Sequence, residues 1–154
     1  MTPRLLAAAA LALATIASPA AAVPPRRDLS ADEARGGHTL ARHVGRTDAQ
    51  LRQRLRDQPN ISAASTYPDR DTAELVVGRI LELQADRVRS WARRRGSRPN
   101  LAVRVADLRG PPVGRVLERG GRTPRPARGA VVVLRWDLRA GSFYVLTSYP
   151  ETRE

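Results

Sequence analysis

Two histidines, His38 and His43, stand in one arginine-rich stretch, Arg35-Gly36-Gly37-His38-Thr39-Leu40-Ala41-Arg42-His43-Val44-Gly45-Arg46. Imidazole is the side chain most easily tuned to exchange a proton near neutral pH. Guanidinium is a permanent cation whose planar fork fits phosphate. Together they suit proton transfer beside an anion. On a continuous helix, a five-residue step separates the two rings by about 140°, which puts them on different faces. The four-residue spacing of a helical metal pair is absent, and no acidic motif accompanies the histidines, so no metal or other cofactor is expected. A second pair closes the chain. In Tyr144-Val145-Leu146-Thr147-Ser148-Tyr149-Pro150, strand alternation places the Thr147 hydroxyl and the Tyr149 phenol on one face. Such a pair can bind a base edge or phosphate, or pass a proton. Each group also has a plainer reading: a histidine packed on a short helix, and a hydrogen-bonded strand end.

The elements that must carry these groups follow from the patterning. Gly36-Gly37 leads into a short helix over Thr39 to Val44, ended by Gly45. Thr47 and Gln50 are spaced as a capping box for a helix reaching Gln58, with Leu51 and Leu55 as its buried stripe. Ile61 to Pro68 reads as extended. A long core helix begins at Asp71 or Thr72, with Ala73, Val76, Val77, Ile80, Leu83, Val88 and Trp91 at helical spacing and Gly78 as a weak point. It ends at Arg93-Arg94-Arg95-Gly96, where cations suit the helix C-terminus or meet phosphate. Strands follow: Leu101 to Leu108, Val113 to Glu118, Ala130 to Leu138, and a returning Ser142 to Tyr149, with a polar loop over residues 120–126. This order predicts an α+β domain in which N-terminal helices pack on one C-terminal antiparallel sheet.

The chain has 154 residues and a formal net charge of +12. Its basic residues are all arginine. A chain this basic attracts polyanions: nucleic acid, an anionic wall polymer or a membrane surface. Met1 to Arg4, the apolar run Leu5 to Ala17, and Ser18-Pro19-Ala20-Ala21-Ala22 have the layout of a signal peptide cleaved after Ala22. Removal leaves roughly 130 residues, enough for one domain. The expected product is an exported, extracellular or periplasmic protein with no stable membrane insertion. Residues 23–35, with Pro24-Pro25-Arg26-Arg27, read as a linker, and residues 151–154 as a tail. Cysteine is absent. Folding therefore needs no disulfide, and thiol-protease and zinc-ribbon chemistry are excluded.

Gly36-Gly37-His38-Thr39-Leu40-Ala41-Arg42-His43-Val44-Gly45-Arg46-Thr47, then Leu51 and Arg54, then Ala64-Ser65-Thr66-Tyr67, and the closing Tyr144 to Pro150 are similar to the bacterial ribonuclease A-like toxin domain. That domain ends contact-dependent inhibition and other polymorphic toxins. The resemblance covers residues 36–150. It implies a kidney-shaped α+β fold without disulfides. It also implies metal-independent RNA cleavage by one His, one Arg, one Thr and one Tyr, matched here by His43, Arg54, Thr147 and Tyr149. His38 supports the site or takes part in it. Arg42, Arg46, Ser65 and Thr66 are candidate substrate contacts. Tyr67 stands where the family tends to carry phenylalanine, and the domain is expected to follow a signal peptide rather than a large delivery protein.

The expected function is thus an exported endoribonuclease toxin. It would act by 2′-hydroxyl attack and release a 2′,3′-cyclic phosphate. RNA is the expected substrate, a monomer the expected state, and a cognate immunity protein a further partner. Arg42 and Arg46 would favour neutral His43, since like charges oppose protonation. The alternative is a non-catalytic secreted basic protein that binds nucleic acid or other polyanions, for which the arginine count alone suffices.

Overall fold

A computed structural model describes residues 25–96 and 98–152. The signal peptide expected over residues 1–22 lies outside these residues. Residues 25–35, read from sequence as a linker, are folded. Asp28 caps a five-residue helix, α1 (Leu29–Glu33), by accepting from the backbone N–H groups of Ser30 and Ala31. Leu29 and Asp32 of α1 are buried. The segment before α1 crosses a longer helix, α4 (Arg70–Leu83), where Arg27 N–H donates to the Glu74 carbonyl at 3.1 Å. Gly78 is explained by that crossing: a Cβ there would collide with the Pro25 carbonyl.

Two short helices lead to the first strand. α2 spans Thr39–His43, and α3 spans Asp48–Asp57. The capping box of α3 is formed in both directions: Gln50 N–H donates to Thr47 Oγ1, and Thr47 N–H donates to Gln50 Oε1. The strand β1 (Ala63–Thr66) interrupts the expected order of helices first and strands after. Asp69, rather than Asp71 or Thr72, caps α4 by accepting from Thr72 N–H at 2.7 Å. The expected single long helix is two, because Gln84 leaves helical geometry (φ −105°, ψ 17°) before α5 (Ala85–Ala92). Leu83, next to the break, is 48% exposed rather than buried.

The strands form two three-stranded antiparallel sheets instead of the one expected. One has the order β1-β3-β4, with β3 at Gly114–Glu118 and β4 at Arg125–Ala127. The other has the order β2-β5-β6, with β2 at Leu101–Val105, β5 at Gly129–Asp137 and β6 at Ser142–Glu151. Alternation marks which residues share a strand face but not which sheet a strand joins. Residue 151, assigned to a tail, is paired with Gly129.

Each sheet has its own apolar backing. Leu51 and Leu55 of α3 pack on Ala64 and Leu117. Val77, Ile80 and Trp91 of α4 and α5 pack on Val103, Val132, Leu134 and Val145. The sheets meet at Gly114, where any side chain would strike the Pro150 ring and the Thr66 carbonyl. No described helix is long and apolar enough to cross a membrane.

Candidate active site

The cleft between the two sheets, about 750 Å³, is lined by His38, His43, Arg54, Ser65, Thr147 and Tyr149 among others. They arrive on α2 and its N-terminal cap, α3, β1 and β6. His43 is the last residue of α2, and backbone bonds stitch this end to the residue after β1. Tyr67 N–H donates to the His43 carbonyl at 2.8 Å, and Gly45 N–H returns to the Tyr67 carbonyl at 3.0 Å. Gly45 holds a φ of +65°, a left-handed conformation natural to glycine.

His38 is held differently. It is the residue before α2, with φ −151°. The helical angle expected between the histidines therefore does not apply, and both rings face one cleft. Its N–H donates to the Leu146 carbonyl at 2.9 Å, and Gly37 N–H donates to the Asp32 carbonyl at 3.0 Å. The buried Asp32 carboxylate accepts from Val145 N–H at 3.0 Å and from Arg27 at 2.6 and 2.8 Å. Asp32 thus joins the two, its backbone carbonyl holding the His38 segment and its carboxylate holding β6. A side chain on Gly37 would strike the Val145 and Asp32 carbonyls.

On β6 the register shifts at one point: Val133 pairs with Thr147, whereas Leu134 pairs with Val145. The extra residue, Leu146, forms a bulge that re-aims the strand. Beyond it, Thr147 and Tyr149 face the cleft while Ser148 is fully buried on the other side. Ser148 Oγ lies 2.7 Å from the hydroxyl of Tyr67, which is itself wholly buried. Burial pushes the Tyr67 phenol up, so it stays un-ionised. Its part is to join the sheets.

The electrostatics centre on His43. It is 6% exposed. A guanidinium nitrogen of Arg54, on α3, stands 3.4 Å from Nδ1 and 3.5 Å from Nε2. Burial first, and the Arg54 charge second, lower the His43 pKa from 6.5 to about 3, against the opposing pull of the Ser65 carbonyl. Arg42 is a minor cause and Arg46 is not among the causes, so the arginines expected to tune this ring do so less than Arg54. His38 is also lowered, by burial and then by Arg42. Arg54 is lowered by burial, then by Arg42 and Arg46. The Tyr149 ring packs on His43 with centroids 5.4 Å apart. Thr147 Oγ1 is buried without any hydrogen-bond partner.

Of the four candidate substrate contacts, only Ser65 lines the cleft. Its carbonyl lies 3.3 Å from His43 Nδ1. The Thr66 hydroxyl is engaged within the fold, donating to the Tyr67 carbonyl at 2.8 Å and accepting from Arg46 N–H at 2.9 Å. The Arg46 guanidinium is turned to the Ala41 carbonyl. The Arg42 side chain is exposed and lies off the cleft, contributing only its carbonyl, 3.4 Å from Arg54. Sequence reasoning missed Asp32 and Arg27, since a lone carboxylate in a five-residue helix has no local signature. It also missed Arg104 and Glu151, which line the far end of the cleft. Among the described residues, no three His, Asp or Glu side chains gather as a metal site.

Residues 37–150 match the family described as the bacterial CdiA-CT RNAse A domain. The chain belongs to this family. A solved structure, that of the CdiA-CT/CdiI complex from Y. kristensenii 33638, is similar to it, with a TM-score of 0.64 and 27% identity. The likeness covers 75% of this chain and 99% of that one. No curated protein sequence matches it. The α+β fold without cysteines is the one the resemblance implied, and the domain is a ribonuclease of the toxin class.

Proposed function

We propose that this domain cleaves RNA without a metal, using the RNA 2′-hydroxyl as nucleophile. The observation that carries the proposal is the convergence of His43, Arg54, Thr147 and Tyr149, from three separate elements, in one cleft. The Ser65 carbonyl can only accept, so His43 carries its proton on Nδ1; the Nε2 lone pair, 3.5 Å from an Arg54 guanidinium nitrogen, is the one that takes the substrate proton. Burial and Arg54 keep the free ring neutral, as a base requires. His43 removes the 2′-hydroxyl proton. The O2′–P bond forms, the P–O5′ bond breaks, and a 2′,3′-cyclic phosphate remains. Arg54 meets the negative charge that grows on the phosphorane oxygens. The free Thr147 hydroxyl holds a phosphate oxygen or the base. His38 and Tyr149, which both line the cleft, are the candidates to return a proton to O5′.

The apolar run Leu5 to Ala17 and the small residues to Ala22 support export. The solved relative is a complex with CdiI. By that analogy, an acidic inhibitor protein suits this basic cleft. The mature protein, incubated with RNA in excess chelator, should yield cyclic-phosphate ends and leave an all-deoxy analogue intact. His43→Gln should abolish cleavage. Undiminished cleavage by that variant, or a strict metal requirement, overturns the mechanism.

A further inference from the structure

The cleft runs well beyond the reacting groups, and most polar side chains in its far half are already occupied. Arg119 donates to the carbonyls of Leu55, Gln58 and Ile61. Glu118 accepts from Arg125 at 2.7 Å. Arg104 of β2 and Glu151 of β6 are the charged pair there that engages no other side chain, with Nε and Oε1 3.2 Å apart. Glu151 Oε1 is buried and ion-paired to Arg104, but makes no well-aligned hydrogen bond. Its side chain is 11% exposed, whereas that of Arg104 is 54% exposed.

The placement of this pair follows from the strand register. Thr147, Tyr149 and Glu151 alternate along one face of β6, and all three line the cleft. Arg104 pairs with Val131, which pairs with Tyr149, so Arg104 shares that face. Glu151 therefore sits about 13 Å along the strand from Thr147, at roughly 3.3 Å per residue. A carboxylate in a phosphate-binding groove repels the backbone it would meet. It belongs there if it meets base N–H groups instead.

We propose that Glu151 and Arg104 form a base-reading subsite that selects guanine in a nucleotide flanking the scissile bond. Unpaired RNA bases are read on their Watson–Crick edges. Guanine presents adjacent N1–H and N2–H donors, which match the two oxygens of one carboxylate, and O6 beside them, which accepts from a guanidinium. Adenine and cytosine offer only one exocyclic amino group there, and uracil only one N–H between two carbonyls. Guanine would turn the Glu151 carboxylate off Arg104 Nε, so that both oxygens meet the base edge and the guanidinium meets O6. A lone pair of charges at the surface would not explain why this carboxylate is sunk in the cleft.

The inference rests on the ribonuclease reading of the same cleft. It is tested on the mature protein with a full set of ribodinucleotides. Wild type should show kcat/KM about 5- to 100-fold higher when guanine occupies the flanking position, the range of one well-matched bidentate base contact. In Glu151→Gln that ratio should collapse towards one. Arg104→Gln should reduce it in part, and Glu118→Gln should leave it intact. Thermal melting of each variant controls for folding. Cleavage without base preference, a preference for another base, or a ratio unmoved by Glu151→Gln overturns the subsite. Failure to cleave any dinucleotide or longer RNA instead overturns the ribonuclease mechanism.

Discussion

Acidification destabilises this protein through His43, and the size of the effect follows from its burial. The folded ring has a pKa of about 3, against 6.5 for an ordinary histidine. The causes are desolvation first and Arg54 second, with His38 and Arg42 adding to them and the Ser65 carbonyl opposing. The difference corresponds to about 5 kcal/mol at full expression, an order-of-magnitude figure. Above the unfolded pKa, both states are neutral and the ring contributes no pH dependence. Below it, the unfolded chain takes up a proton that the folded ring refuses, so stability falls until the folded ring also titrates. From about pH 7 to about pH 5, His43 alone therefore removes about 2 kcal/mol. Urea unfolding at both pH values, for wild type and His43→Gln, measures this directly. The loss on acidification should be smaller in the variant by about that amount. His38 titrates in the same direction, so some loss persists in the variant. Equal losses in the two proteins would refute the claim that His43 is held neutral.

The same depression places the acid limb of kcat/KM from His43 well below 6.5; a limb near 6.5 that vanishes in His43→Gln, while His38 is intact, contradicts it. Thr147→Val deletes a buried hydroxyl that has no partner. It should leave stability within about 1 kcal/mol or raise it, yet lower kcat/KM at least tenfold, as read by melting and RNA cleavage together. Arg54→Lys keeps the charge but loses the planar fork beside His43. It should lower kcat by roughly 100-fold with little change in melting temperature. Asp32→Ala orphans the Val145 N–H and the half-buried Arg27. It should cost about 2–3 kcal/mol and lower cleavage by loosening the His38 segment.

What the sequence determined was mostly local. The Thr47–Gln50 box, the Leu51–Leu55 stripe, the α2 segment and the alternation of Thr147 with Tyr149 depend on neighbours within a turn or on the pleat. Each is present in the structure. The motif spacing also carried the family, because it preserves chemistry at both ends of the chain. Tertiary contacts decided the rest. Strand partners are chosen by long-range register, so one expected sheet became two. A collision with Pro25, more than fifty residues away, accounts for Gly78. The folding of α1 onto β6 turned residues 25–35 from an arm into a support for the site. His38 reaches the same cleft as His43 because it lies outside the helix that would have separated them. Thr66 and Arg46, chemically eligible to bind substrate, are directed into the fold by bonds to each other and to nearby carbonyls. Residue type and spacing list the groups able to act. Only the packing of two sheets about a cleft determines which of them remain unspent.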